Sequence, residues 1–124
     1  VRDCVEMLTG AYGAGIDTRT YMQMACDLFE SRGYPTIGGT PGTRTGFVHG
    51  LGHGIGLAVH EEPFFSLSPV SLTVLQPGHV FTCEPGLYDP GRGYGVRIED
   101  VVWIDQDGVA QDLTDFPKEL VIPV

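Results

Sequence analysis

Two stretches near the start of the chain carry apolar residues at helical spacing. In residues 1–9 these positions fall on one helical face, formed by Val1, Cys4, Val5 and Leu8. The segment IDTRTYMQMACDLFESRG repeats the pattern, with an N-cap at Asp17 and a stop at Gly33. We therefore predict two amphipathic helices, separated by the turn TGAYGAG.

The second half of the chain favours strands. The segments HVFTCEP, YGVRIEDVVWID and VAQDLT are rich in β-branched and aromatic residues, and the turns DPGRG and DQDG separate them. Residues 61–78 contain several prolines and have no clear period, so we predict no element there. Helices followed by strands predict an α+β fold with an antiparallel sheet.

Composition limits the chain to one globular domain and excludes some partners. The 124 residues are 42% hydrophobic and 19% charged, which is typical of a folded protein. The formal net charge of −9 argues against nucleic acid or an anionic membrane as a partner. No apolar run reaches the roughly 18 residues of a spanning helix, and the N-terminus lacks the pattern of a signal peptide. We expect a cytoplasmic protein.

The cysteines support the same location. The chain has three, Cys4, Cys26 and Cys83, which are far apart and form no CxxC motif. An odd number without a pairing pattern is typical of a reducing compartment. We predict that all three are buried as small apolar side chains.

The stretch FVHGLGHGIGLAVHEEP concentrates histidines among glycines. His49 and His53 are four residues apart, but each of the intervening glycines would cost about 1 kcal/mol in a helix. We predict an extended segment with His49, Leu51, His53 and Ile55 on one face. Four residues of strand span roughly 13 Å, so both histidines could bind one ion only if the chain bends. A histidine in such a segment can also be a hydrogen-bonded structural group.

Two carboxylates further along the chain strengthen the case for a metal site. Glu84 ends an apolar run in TCEPG, and Glu99 lies within the run GVRIEDVVWI, on the same strand face as Arg97. A carboxylate among β-branched neighbours needs a cation nearby, which can be either Arg97 or a metal. One histidine and two carboxylates would suit Mn, Co, Fe or Zn.

Three segments, HGLGHGIGLAVHEEP, LQPGHVFTCEPGLY and GVRIEDVVWI, resemble the C-terminal half of the catalytic domain of the pita-bread metallopeptidases. That family includes Xaa-Pro dipeptidase, aminopeptidase P and methionine aminopeptidase, and the form of the motifs is most similar to the Xaa-Pro branch. The resemblance implies half of a pita-bread fold, with two helices packed on a curved antiparallel sheet. It also implies an Xaa-Pro peptidase that uses a hydroxide bridging two divalent metal ions, and a homodimeric parent.

The resemblance also implies roles for individual residues. His53 matches the histidine metal ligand, Glu84 a carboxylate ligand that also handles protons, and Glu99 the carboxylate that bridges two ions. His49 and His60 match the histidines that hold the peptide substrate and assist proton transfer. Arg97 matches the basic residue before the bridging glutamate and would contact substrate.

The sequence departs from the family pattern in one respect. The family's two aspartate ligands lie well upstream of the histidine motif, whereas Asp17 and Asp27 fall in a helix that matches a later, non-ligand part of the pattern. We therefore expect residues 1–124 to be the C-terminal part of the domain, with the N-terminal part missing. Such a fragment would bind at most one ion weakly and would be inactive alone.

Two other functions remain open at this point. A relative that lost its metal could be a peptide- or protein-binding module. A creatinase-like hydrolase would act on a small C–N substrate instead of a peptide.

Overall fold

The computed structural model describes residues 1–119 and 121, and it begins with the two predicted helices. Helix α1 spans Arg2–Thr9 and helix α2 spans Thr18–Ser31. Asp17 caps α2, since its carboxylate accepts a hydrogen bond from the Thr20 backbone N–H at 2.8 Å. Gly33 follows the helix with a φ of +81°, a conformation that favours glycine. Both helix predictions are confirmed.

Seven strands form two antiparallel sheets in the described part of the chain. The strands are β1 (Gly52–Gly54), β2 (Glu61–Phe65), β3 (Val80–Cys83), β4 (Gly86–Asp89), β5 (Tyr94–Arg97), β6 (Asp100–Ile104) and β7 (Ala110–Asp112). The main sheet has the order β2-β1-β3-β6-β7 and the second sheet is the hairpin β4-β5. Two helices followed by an antiparallel sheet confirm the α+β fold class.

The core lies between the helices and one face of the main sheet. Helix α1 contacts β3 and β7, and helix α2 contacts α1 and β2. At its centre an aromatic cluster joins the turn between the helices to the sheet, with ring centroids 5.0 Å apart for Tyr12–Phe81 and 4.8 Å apart for Phe65–Phe81. This packing fixes β2 and β3, the strands on either side of β1, which leads into the candidate site.

All three cysteines, which lie within the described residues, are buried free thiols, as predicted. Burial raises the pKa of the Cys83 thiol to about 12 and has a similar effect on Cys4. These thiols stay protonated near neutral pH, so they are neither nucleophiles nor metal ligands there.

Two element predictions were wrong. The segment YGVRIEDVVWID is not one strand, because β5 pairs with β4 whereas β6 pairs with β3 and β7. The chain therefore changes sheets at Ile98 and Glu99. Residues 61–78 do contain structure, namely β2 and a short 3-10 turn at Pro69–Ser71. Strand β2 forms because it pairs with β1, and the spacing of apolar residues in the sequence does not reveal this pairing.

Candidate metal centre

Three side chains from adjacent parts of the main sheet converge at one point. His53 lies in β1, Glu84 directly follows β3, and Glu99 directly precedes β6. One potential ligand atom from each of them lies within 4.8 Å of the others. His53 Nε2 is 3.3 Å from Glu84 Oε1. Because β3 lies between β1 and β6, the sheet order itself brings the three together.

This donor set fits a divalent metal ion. Ligand bonds of about 2.0 to 2.2 Å place atoms on one ion within roughly 4.4 Å of each other, so small rotations would complete the approach. One imidazole and two carboxylates are donors that Mn, Co, Fe and Zn accept. His53 and Glu84 are well shielded, with side-chain exposures of 14% and 12%. The site is thus partly desolvated, which strengthens binding of a cation.

Glu99 is exposed, although its position within an apolar run of the sequence suggests a buried carboxylate. Its side chain is 44% exposed, because it lies at the junction between β5 and β6 instead of inside a continuous strand. Arg97 Nε lies 3.8 Å from Glu99 Oε2, and Arg97 Nη1 lies 3.4 Å from Glu84 Oε2. The guanidinium is therefore a cation near both carboxylates, and its single charge offsets part of theirs.

The buried carboxylate of this region is its neighbour Asp100. Its side chain is 2% exposed, and Lys118 Nζ lies 3.1 Å from its Oδ2. Burial raises the pKa of Asp100, which the nearby ammonium group partly offsets. The ion pair ties the segment after β7 to the strand that follows Glu99.

His49 and His60 lie beside the three converging residues. Both line a pocket of about 270 Å³ together with His53, Glu84 and Arg97. The rings of His53 and His60 meet edge to face, with centroids 4.3 Å apart. The structure thus brings all six candidate residues to one place: His49, His53, His60, Glu84, Arg97 and Glu99.

The expected strand face of the histidine segment is wrong in one detail. Leu51 is fully buried in the core, whereas His49 and His53 face the pocket. The chain bends at His49 and Leu51, and regular strand begins only at Gly52. His49 is held outside the ligand group, with Nε2 3.0 Å from the Tyr88 hydroxyl and Nδ1 2.7 Å from the Gly50 carbonyl oxygen.

Sequence reasoning missed two residues at this site, Tyr88 and Thr82. Tyr88 reaches His49 from β4, and only the folded hairpin reveals this contact. Thr82 is fully buried, and its hydroxyl lies 3.1 Å from Glu84 Oε1. Thr82 precedes Glu84 by two residues, and the alternation of strand side chains could have placed both on one face.

Comparison with protein families gives a match over most of the chain. The profile of metallopeptidase family M24 matches residues 1–106. The Xaa-Pro dipeptidase of Pyrococcus furiosus is 51% identical over 75 residues, which are 60% of this chain and 20% of that protein. The Xaa-Pro dipeptidase of Lactobacillus delbrueckii is 48% identical over 79 residues, or 63% of this chain and 20% of that protein.

Solved structures agree with the fold. A dipeptidase from Pyrococcus horikoshii superposes with a TM-score of 0.81 at 38% identity, covering 97% of this chain and 30% of that one. The chain thus corresponds to less than a third of the length of these relatives. No helix in the described residues has both the length and the apolar character needed to cross a membrane.

Proposed function

This chain belongs to metallopeptidase family M24, and from that premise we propose that residues 1–124 form the C-terminal part of a catalytic domain that cleaves Xaa-Pro peptides. The observation that carries the proposal is the convergence of His53, Glu84 and Glu99 within 4.8 Å, beside a pocket that His53 and Glu84 line. The names of the Xaa-Pro dipeptidases among the relatives support the choice of substrate.

His53, Glu84 and Glu99 would hold divalent metal, and manganese is the ion we propose first. Bound metal would supply Lewis acidity, which lowers the pKa of water and polarises a peptide carbonyl. Glu99 lies at the exposed edge of the group, and its Oε2 is 3.8 Å from Arg97 Nε. In the complete protein we propose two ions, both held in part by Glu99.

The surrounding residues would bind the peptide and move protons. Glu84 has one oxygen next to His53 and the other next to Arg97, which suits a carboxylate that both ligates and handles a proton. His49 and His60 line the same pocket and would orient the peptide and donate to the developing oxyanion. Arg97, which is half-exposed, would reach the substrate once metal replaces it at the carboxylates.

We further propose that the complete protein is a cytoplasmic homodimer and that residues 1–124 alone are inactive. One carboxylate cannot hold a second ion against water, so the paired metal centre would not form from these residues. The free, buried state of the three cysteines supports a reducing compartment.

The test compares the 124-residue chain with a longer protein that contains it. Both are assayed with Mn²⁺ and an Xaa-Pro dipeptide. The longer protein should cleave the dipeptide and lose this activity in His53→Ala, while the 124-residue chain should bind Mn²⁺ weakly and show no turnover. Turnover by the short chain that vanishes in His53→Ala would contradict its proposed inactivity. A longer protein that cleaves no Xaa-Pro peptide would refute the proposed substrate.

A further inference from the structure

One buried hydroxyl contacts two of the three converging residues. Thr82 lies in β3 and is fully buried. Its Oγ1 accepts a hydrogen bond from the backbone N–H of His53 at 3.0 Å. The same oxygen lies 3.1 Å from Glu84 Oε1 and 3.4 Å from the His53 carbonyl oxygen.

The hydroxyl has only one proton to donate, and two acceptors are within reach, Glu84 Oε1 and the His53 carbonyl oxygen. Glu84 Oε1 is the nearer acceptor and belongs to a carboxylate, to which hydrogen bonds are stronger than to a neutral carbonyl. Thr82 therefore accepts from the peptide of His53 and donates to the side chain of Glu84. The hydrogen bond that Thr82 accepts from the His53 N–H polarises the hydroxyl, which strengthens the hydrogen bond that it donates to Glu84.

The approach of strand β1 to β3 makes this arrangement possible. A Cβ at Gly52 would overlap the carbonyl oxygen of Thr82, so only glycine lets the two backbones come this close. The Thr82 side chain can then reach the next residue of β1, which is His53. Burial keeps water from competing for either bond.

We propose that Thr82 is a positioning residue that fixes His53 and Glu84 relative to each other and thereby sets the metal affinity of the site. The inference rests on the proposed function in one respect, namely that this site binds a divalent ion. Without the hydroxyl, the His53 N–H loses this acceptor, and the Glu84 carboxylate keeps only its contacts with His53 Nε2 and Arg97. Loss of such an outer hydrogen bond typically lowers metal affinity about 10- to 100-fold.

The experiment measures Mn²⁺ affinity by isothermal titration and thermal stability in EDTA, both on the 124-residue chain. Thr82→Val removes the hydroxyl at nearly constant volume, and Thr82→Ser retains it. The matched control is Thr36→Val. Thr36 is also fully buried, donates to the carboxylate of Glu30, and accepts from the N–H groups of Gly38 and Gly39, but it does not line the pocket.

We expect Thr82→Val to weaken Mn²⁺ binding by about tenfold or more and Thr82→Ser to stay within about threefold of the original chain. Thr36→Val should lose stability and keep its Mn²⁺ affinity. If Thr82→Val does not fold, Thr82→Ala replaces it, because it also removes the hydroxyl and introduces no new metal ligand.

The outcomes separate this inference from the proposed function. A folded Thr82→Val or Thr82→Ala with unchanged Mn²⁺ affinity would show that Thr82 is only structural, like Thr36, and would overturn the inference while the metal site stands. An original chain that binds no Mn²⁺ would refute the metal site and the inference together.

Discussion

Arg97 forms an ion pair with Glu84, the guanidinium Nη1 lying 3.4 Å from the carboxylate Oε2. The same guanidinium approaches Glu99, with Nε 3.8 Å from Oε2. A single positive charge is thus shared between both carboxylates that we assign to the metal. An ion that enters the site must compete with this arginine for the negative charge of the same two carboxylates.

Replacing Arg97 by Gln should therefore strengthen Mn²⁺ binding to the 124-residue chain. The arginine is 48% exposed, and pairs of this kind contribute little, so the gain should be about two- to fivefold. It should shrink as salt is added, because screening weakens the pair that the ion displaces. Titration at two salt concentrations measures both effects. Arg92→Gln, which removes a more exposed arginine paired with Asp89, is the control. Weaker binding in Arg97→Gln would show that Arg97 supports the metal instead of competing with it.

Glu99→Gln should affect the metal and not the fold. Because the carboxylate is 44% exposed, the free energy of unfolding in EDTA should change by less than about 0.5 kcal/mol. Mn²⁺ binding should fall below detection, since an amide cannot replace the charge of a carboxylate ligand. Thermal melts with EDTA and with excess Mn²⁺ test both expectations. Glu6→Gln, at an exposed position in α1, should change neither. A Glu99→Gln variant that still gains stability from Mn²⁺ would remove Glu99 from the ligand set.

Gly52→Ala should destabilise the fold more than any of these changes. The added methyl group would overlap backbone atoms of Thr82, so β1 and β3 would have to separate. Overpacking of this kind costs about 1 to 3 kcal/mol, and more where backbone must move. Denaturant unfolding measures the loss. Gly10→Ala is the control, because a Cβ there meets only the Glu6 carbonyl at 3.4 Å and the Met7 carbonyl at 3.8 Å, both ordinary contacts, and φ is −76°. An equal loss in both variants would mean that close strand approach is not the cause.

Asp17 should make the stability of α2 depend on pH. Hydrogen bonds from the Thr20 backbone N–H and, less strongly, the Thr20 hydroxyl lower the pKa of Asp17 below its ordinary value of 3.8. Because the pKa of Asp17 is lowered by folding, the stabilisation that its carboxylate gives is fully present above the ordinary value of 3.8. This stabilisation is lost as the pH falls through the folded-state pKa. Asp17→Ala should lower the melting temperature near neutral pH by on the order of 5 °C. The difference should shrink as the pH falls below 3.8 and through the folded-state pKa.

The matched variant for this prediction is Asp17→Ser. Serine also caps helices but carries no charge, so it should keep most of the stability without the dependence on pH. A difference between Asp17→Ala and the original chain that persists unchanged in acid would show that the charge of Asp17 has no part in the cap.

The helices and three of the strands could be predicted from the sequence because local signals determine them. Asp17 and Gly33 bound α2, β3 and β6 are rich in β-branched and aromatic residues, and the turn DQDG separates β7 from β6. The approximate membership of the site was also accessible, since the motif resemblance points to the same six residues that the structure brings together.

Tertiary pairing determines the parts that the sequence did not reveal. An apolar run that changes sheets at Glu99 has the same pattern as one long strand, so the sequence does not show that Glu99 is exposed and Asp100 buried. The contact of Tyr88 with His49 depends on how the β4-β5 hairpin folds over the histidine segment. Neither is encoded in a period of two or of 3.6 residues.

Glu84 and Glu99 lie at the base of the β4-β5 hairpin, with Glu84 shortly before β4 and Glu99 shortly after β5. The pairing of Gly86 with Arg97 at this base sets the distance between the two glutamates. The turn between Asp89 and Tyr94 lies at the opposite end of the hairpin. Extra residues inserted at that turn would lengthen the hairpin away from the carboxylates without spreading them. The turn is therefore a place where related proteins can differ in length, or where an engineer can graft a peptide tag, while the two acids keep their spacing.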